Sequence, residues 1–139
     1  MARAIKAGEV FVYPYLWGRQ SQAGETEGRK ERPVCVALSV ERNGVTHVFL
    51  LAITSTQPAE DQIALEIPET EAYRVGLRAW KLGWVIVGEG NYDIAERSFY
   101  LDLSQPPLGR FSDPFTKRIR AEFRKTIEKG DFKRVDRTE

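Results

Sequence analysis

A single cysteine and a single histidine stand in a chain of 139 residues. One cysteine, Cys35, excludes an internal disulfide, and its place in an apolar run makes it a small buried hydrophobe. One histidine beside one cysteine excludes a zinc site of nitrogen and sulfur ligands, so no metal or other cofactor is expected. His47 lies mid-strand, two residues from Val45 and two from Phe49, where a structural role fits it. No apolar run nears the roughly 20 residues that span a bilayer, and Met1 to Glu9 lack the apolar heart of a secretory leader. The expected location is the cytoplasm. The phosphate-cradling glycine loop is missing too: "GEGN" at Gly88 to Asn91 has no following Lys-Ser/Thr. There is no nucleophile elbow, no recognisable carboxylate pair and no internal repeat. A net charge of +1 gives no whole-molecule hint of a partner.

What remains is a chain 42% hydrophobic and 29% charged, the balance of one globular domain with a real core. A first strand falls near Val10 to Tyr15, short or on a sheet edge because Gly8 and Pro14 flank it. Residues 17 to 31, "WGRQSQAGETEGRKE", are polar with three glycines and read as one long flexible loop. Val34, Val36, Leu38 and Val40 then alternate with Cys35, Ala37, Ser39 and Glu41, which places one face in the core. Asn43-Gly44 supplies a hairpin turn, because both residues tolerate positive φ. The return strand, Val45 to Ile53, is mostly apolar and so central, and the chain leaves the sheet at "TSTQP".

Three more strands are expected: "QIALEIP" with Ile63, Leu65 and Ile67 on one side, Trp84 to Val87 between glycines, and "SFYLDL" with Phe99, Leu101 and Leu103 inward. Pro68 opens either a single helical turn through "ETEAY" or an extended loop. A helix over about 113–129 has Asp113 as N-cap, Pro114 at the first helical position and Gly130 as its stop. Phe115, Ile119, Phe123 and Ile127 form its apolar stripe. The expected fold is mainly β: a small curled antiparallel barrel over residues 1–130 closed by a C-terminal helix, followed by a mobile charged tail, 131–139. Trp80 and Trp84 are read as packing residues.

Two charged regions frame the search for chemistry. Residues 117–134 are rich in lysine and arginine and could either meet phosphates or form a solvated helix face. Residues 60–71 hold Glu60, Asp61, Glu66, Glu69 and Glu71 with no basic residue. Between them, the hairpin itself makes a constellation. Arg32 lies eleven residues before Asn43, and Thr54 lies ten after Gly44. The antiparallel turn therefore brings an arginine beside Thr54 and Ser55 at one end of the sheet. A guanidinium presents a fixed positive fork to two phosphate oxygens, and hydroxyls can orient them. The arginine's work would be to stabilise charge that builds on phosphorus. The plain alternative is that Arg32 pairs with Glu31 or Glu9 and that Thr54-Ser55 closes a turn.

"GEVFVYPY" at Gly8 to Tyr15, "KERPVCVALS" at Lys30 to Ser39 and "LAITSTQ" at Leu51 to Gln57 resemble the MazF/PemK family of type II toxin–antitoxin endoribonucleases. "GLRAWKLGWVIVGEGNYD" and "LGRFSDPFTKRIRAEF" resemble that family's closing strands and C-terminal helix, so the likeness runs over about residues 7 to 128. The resemblance implies an SH3-like barrel that dimerises and cuts single-stranded RNA without a metal, the ribose 2′-hydroxyl attacking the adjacent phosphate. It implies Arg32 and Thr54 as catalytic residues and Ser55 as their polar neighbour. Tyr15, Trp17, Arg29, Lys30 and Gln57 are the expected RNA-binding residues; Tyr15 and Trp17 either stack on bases or simply pack. An antitoxin with an acidic, disordered tail is the implied partner. A diverged, inactive barrel that binds a peptide or nucleic acid is the competing reading.

Overall fold

The hairpin at Asn43-Gly44 organises the sheet. Asn43 has φ 55° and Gly44 φ 79°, the two successive positive values of the turn that matches strand twist. The computed structural model describes residues 4–24, 30–77 and 82–138. The turn joins β2 (Arg32–Arg42) to β3 (Val45–Thr54). Val36 faces Leu50 and Leu38 faces Phe49, so Ala37 is an extra residue, a bulge that bends the hairpin. β1 (Glu9–Tyr13) pairs with β2 on one side and with β7 (Gly109–Arg110) on the other.

The far side of β3 is covered twice. Its end pairs with β5 (Trp84–Ile86), and its first half pairs with β6 (Glu89–Ile94). β5 carries β4 (Ala64–Glu66), and β6 carries β8 (Lys133–Asp136) in parallel register; the other pairings are antiparallel. The result is one eight-stranded, mainly β sheet with a C-terminal helix, α3 (Asp113–Glu128), as expected. α1 (Gly18–Gln22) and α2 (Glu69–Arg74) are short. No helix among the described residues is long and apolar enough to cross a membrane.

The expectation of a single buried face fails, because both faces of the central strands are covered. Cys35, Ala37, Leu51 and Ile53 pack under α3 through Phe115, Ile119 and Phe123. Val34, Val36, Leu50 and Ala52 pack beneath Tyr13, Tyr15 and Trp17. A strand buried on both sides carries apolar residues at both parities, which is what "PVCVAL" contains.

Several boundaries differ from the expected ones, each for a physical reason. "SFYLDL" is not a strand. The Ser98 hydroxyl accepts from the N–H groups of Tyr100 (3.0 Å) and Leu101 (2.9 Å), so these donors are spent locally. Leu101 is buried, Leu103 is half-buried and Phe99 is 89% exposed. The missing strand is β6, hidden in "GEGNYD". A Cβ on Gly90 would come within 2.9 Å of the Phe132 ring and 3.1 Å of Leu51, so this glycine marks close packing inside the sheet.

The expected loop at 17–31 contains α1, whose first turn is closed by the Trp17 N–H donating to Gln20 Oε1 at 3.0 Å. "ETEAY" lies in α2. The cap of α3 is Ser112, one residue before the expected Asp113; its hydroxyl accepts from the Phe115 N–H at 3.3 Å, with Pro114 in the first turn. Gly130 ends the helix at φ 75°. The stripe also drifts. A spacing of four overshoots a helical turn by roughly 40° each step, so Phe115, Ile119 and Phe123 are buried while Ile127 is 47% exposed. Thr126 takes the inward place. The charged tail is not free either: it forms β8, with Val135 and Arg137 buried.

Candidate nucleic-acid site around Arg32

Register alone places Arg32. Tyr13 lies opposite Arg32 on β1, and Val34 lies opposite Ala52 on β3. Two residues further along each strand of that second pair bring Arg32 level with Thr54, and Thr54 in turn faces Trp84 on β5. A step of two keeps the face, so Arg32 and Thr54 share the side of the sheet that carries Tyr13, Tyr15 and Trp17.

The guanidinium of Arg32 lies with its central carbon 5.1 Å from the centre of the Trp17 ring. Arg19, on α1, stands at the same 5.1 Å from that ring. One indole thus holds two cations. Arg32 is half-buried, and its Nε is enclosed with no hydrogen-bond partner. Burial pulls its pKa below the ordinary arginine value, the positive charge of Arg19 adds to that, and Tyr15 opposes it. No carboxylate among the described residues pairs with it, so the ion-pair alternative with Glu31 or Glu9 is not what the structure holds.

The platform beneath the arginine is tightly made. Tyr15 and Trp17 meet edge to face at 4.9 Å. The Tyr15 hydroxyl donates to Glu89 Oε2 at 2.8 Å, and burial followed by the Glu89 charge drives its pKa well above the usual tyrosine value. Tyr15 is 1% exposed and has no face left for a base; here it packs. Trp17, at 8% exposed, offers only a margin beside its two arginines.

Thr54 is buried, and its Oγ1 accepts from the Thr56 N–H at 3.1 Å. The hydroxyl therefore closes the turn at the end of β3, yet its proton is left to donate. Ser55, Gln57, Lys30 and Glu31 are exposed around the same end of the hairpin. Arg29 lies outside the described residues, as does Trp80.

Arg19 and Glu89 join the site without having been singled out in the sequence. Arg19 has a signal, a cation two residues after an indole; Glu89 lies just past Gly88, which bounds the expected strand at Trp84 to Val87. Both also line a neighbouring cavity of about 650 Å³, walled by Gly18, Gln62, Ile63, Ile86 and Lys133 among others. Among the described residues no group of three or more His, Cys, Asp or Glu is placed to hold a metal ion.

The two charged regions resolve differently. Lys117, Arg118, Arg120 and Arg124 lie on the solvent side of α3, a helix that packs on the sheet face opposite Arg32. They are a solvated helix face. Glu71 accepts from both the N–H (2.9 Å) and the hydroxyl (2.6 Å) of Ser112, so one acidic residue of the 60–71 stretch docks α2 against the start of α3. His47 Nδ1 and the Tyr92 hydroxyl are 2.6 Å apart, a structural contact. Compared with family models, with curated proteins and with solved structures, the chain matches none.

Proposed function

We propose that this chain is a toxin-type endoribonuclease that cuts single-stranded RNA in the cytoplasm, without a metal, by attack of the ribose 2′-hydroxyl. The observation that carries the reading is Arg32: a half-buried cation, its Nε unpartnered and, among the described residues, in no ion pair with a carboxylate, on the same sheet face as Thr54. A buried donor without an acceptor is costly for folding alone, and the part of this half-buried side chain that is not enclosed is where a phosphate oxygen would dock. The resemblance of the Arg32 and Thr54-Ser55 segments to MazF/PemK toxins supports the same assignment.

In this reading the 2′-oxygen bonds to phosphorus, and the bond to the 5′-oxygen breaks. The proton lost by the 2′-hydroxyl and the one gained by the leaving 5′-oxygen are exchanged with solvent. The products are a 2′,3′-cyclic phosphate and a 5′-hydroxyl. Arg32 stabilises the charge that grows on the phosphoryl oxygens, and Thr54 and Ser55 orient them. Lys30 and Gln57 extend the contact along the strand, and Arg19 adds a second cation. A homodimer and an antitoxin with an acidic tail belong to the same reading; such a tail would bring carboxylates to Arg32 and Arg19.

The test is incubation of the purified protein with mixed-sequence single-stranded RNA in EDTA. Cleavage leaving cyclic phosphate ends, abolished by Arg32→Ala, is expected. Intact RNA at high protein concentration overturns the enzyme. If that RNA is nevertheless bound, the non-catalytic binding module stands in its place, a reading favoured by the Thr54 hydroxyl already closing a turn.

A further inference from the structure

We infer that Arg137 is a positioning residue for the Trp17–Arg32 pair: the bolt of a clasp by which the segment after β8 holds the chain leading to the site in place. The inference rests on the reading of that pair as a phosphate-binding group.

Arg137 is 4% exposed, an unusual depth for an arginine. Its Nη1 donates to the carbonyl oxygen of Pro14 at 2.8 Å and to Asn91 Oδ1 at 3.0 Å. The guanidinium carbon lies 4.1 Å from the Tyr100 ring centre and 5.4 Å from that of Tyr13, the residue opposite Arg32. The backbone is held as well, since the Arg137 N–H donates to Tyr92 O at 2.9 Å.

Asn91, fully buried on β6, carries the effect onward. Its Oδ1 accepts from the Leu16 N–H at 2.9 Å, and its Nδ2 donates to Leu16 O at 2.8 Å. The same Oδ1 is the acceptor for Arg137, so one amide ties the bolt to the residue directly before Trp17. Pro14, Tyr15 and Leu16 are thereby fixed from β6 and from the segment after β8, and Trp17 presents its ring to Arg32 from the end of that fixed segment.

Stability alone explains this arrangement poorly. Nε and Nη2 of Arg137 are buried without a partner, and an enclosed guanidinium that leaves donors unmet is worse for folding than an apolar side chain of the same volume. What the arginine provides, and an apolar residue could not, is a donor to a main-chain carbonyl and to Asn91 at once. Those bonds fix where the Pro14–Leu16 backbone lies.

The decisive measurement is residue-level hydrogen exchange on the full chain carrying Arg137→Met, read beside RNA binding. Leu16 and Trp17 amides are expected to exchange at least tenfold faster, while those of Ile119 and Phe123 in α3 keep their wild-type protection. Affinity for a 2′-O-methyl single-stranded RNA, which binds but cannot be cut, should fall at least tenfold. Millimolar guanidinium added to Arg137→Ala should restore Leu16 protection, and urea at the same concentration should not.

Unchanged exchange at Leu16 overturns the clasp, and so does a uniform loss of protection that includes α3. If Arg137→Met does not fold, Tyr100→Leu removes the ring from the guanidinium's face while leaving Nη1, and the same local readout decides. Wild-type protein that neither binds nor cuts RNA defeats the ribonuclease reading, while the exchange data still decide whether Arg137 fixes Leu16 and Trp17.

Discussion

The guanidinium of Arg32 rests 5.1 Å from the centre of the Trp17 ring, and its Nε points to no acceptor. Aromatic contact partly offsets the desolvation of a cation, but it leaves Nε without an acceptor. That combination separates the residue's effect on folding from its effect on chemistry. Arg32→Ala should lower RNA cleavage by about 10²- to 10³-fold, while thermal unfolding shows no loss of stability. Arg32→Lys keeps the charge but not the planar fork, and should recover little. A drop in melting temperature with cleavage intact would make the arginine a structural residue.

Thr54 allows a finer dissection, because its hydroxyl closes the turn through Thr56 and is also assigned to the phosphate. Thr54→Val keeps the shape and loses the acceptor, so urea titration should show a cost of about 1 kcal/mol. Cleavage should fall with it. Thr54→Ser retains the oxygen and should be close to wild type in both assays. If Thr54→Val loses stability and keeps full cleavage, the hydroxyl serves the turn alone.

Much of this was legible in the sequence, for reasons that can be named. The hairpin followed from Asn43-Gly44, since those residues take φ 55° and 79° at little strain. The hairpin in turn fixed the register that sets Arg32 level with Thr54. Helix α3 announced itself through its cap region and its apolar spacing. What escaped notice depended on contacts made far along the chain. Gly90 breaks a local strand pattern, and only the presence of Phe132 and Leu51 against it explains why a strand needs glycine there. β8 has a single buried apolar side chain, Val135, in a charged run, and its pairing with β6 is parallel, so no turn signals it. Arg19 reached the site because five residues of a polar loop wind into α1.

The drift of the α3 stripe has a direct consequence for stability. Ile119 is 1% exposed and packs with Phe115 and Phe123, whereas Ile127 is 47% exposed. Ile119→Ala should cost about 2–5 kcal/mol in a urea titration, the range for truncating an enclosed aliphatic side chain. Ile127→Ala should change stability by less than about 0.5 kcal/mol. Equal costs at the two positions would mean that the helix is rotated from the orientation described.

Alkaline pH should unfold the protein through a set of groups that the fold holds protonated. Burial pushes the Cys35 thiol from 9.0 up to about 12. Burial also raises the Tyr13 and Tyr15 phenols above 10.0, with Asp93 and Glu89 adding to the respective shifts. Each acid binds its proton more tightly in the folded state than in the unfolded one. Below pH 9 both states are protonated and nothing is lost. As pH rises from 9 towards 12, the unfolded chain releases protons that the folded chain retains, and stability falls. Urea midpoints should therefore be flat from neutral pH to about 9 and decline steadily above it. Cys35→Ala lowers the whole curve by creating a cavity, yet its decline should be shallower because one of the three groups is gone. At pH 8 the native thiol should resist a disulfide reagent such as 5,5′-dithiobis(2-nitrobenzoate) and react fully once guanidinium unfolds the chain. Rapid labelling of the native protein would place Cys35 outside the core.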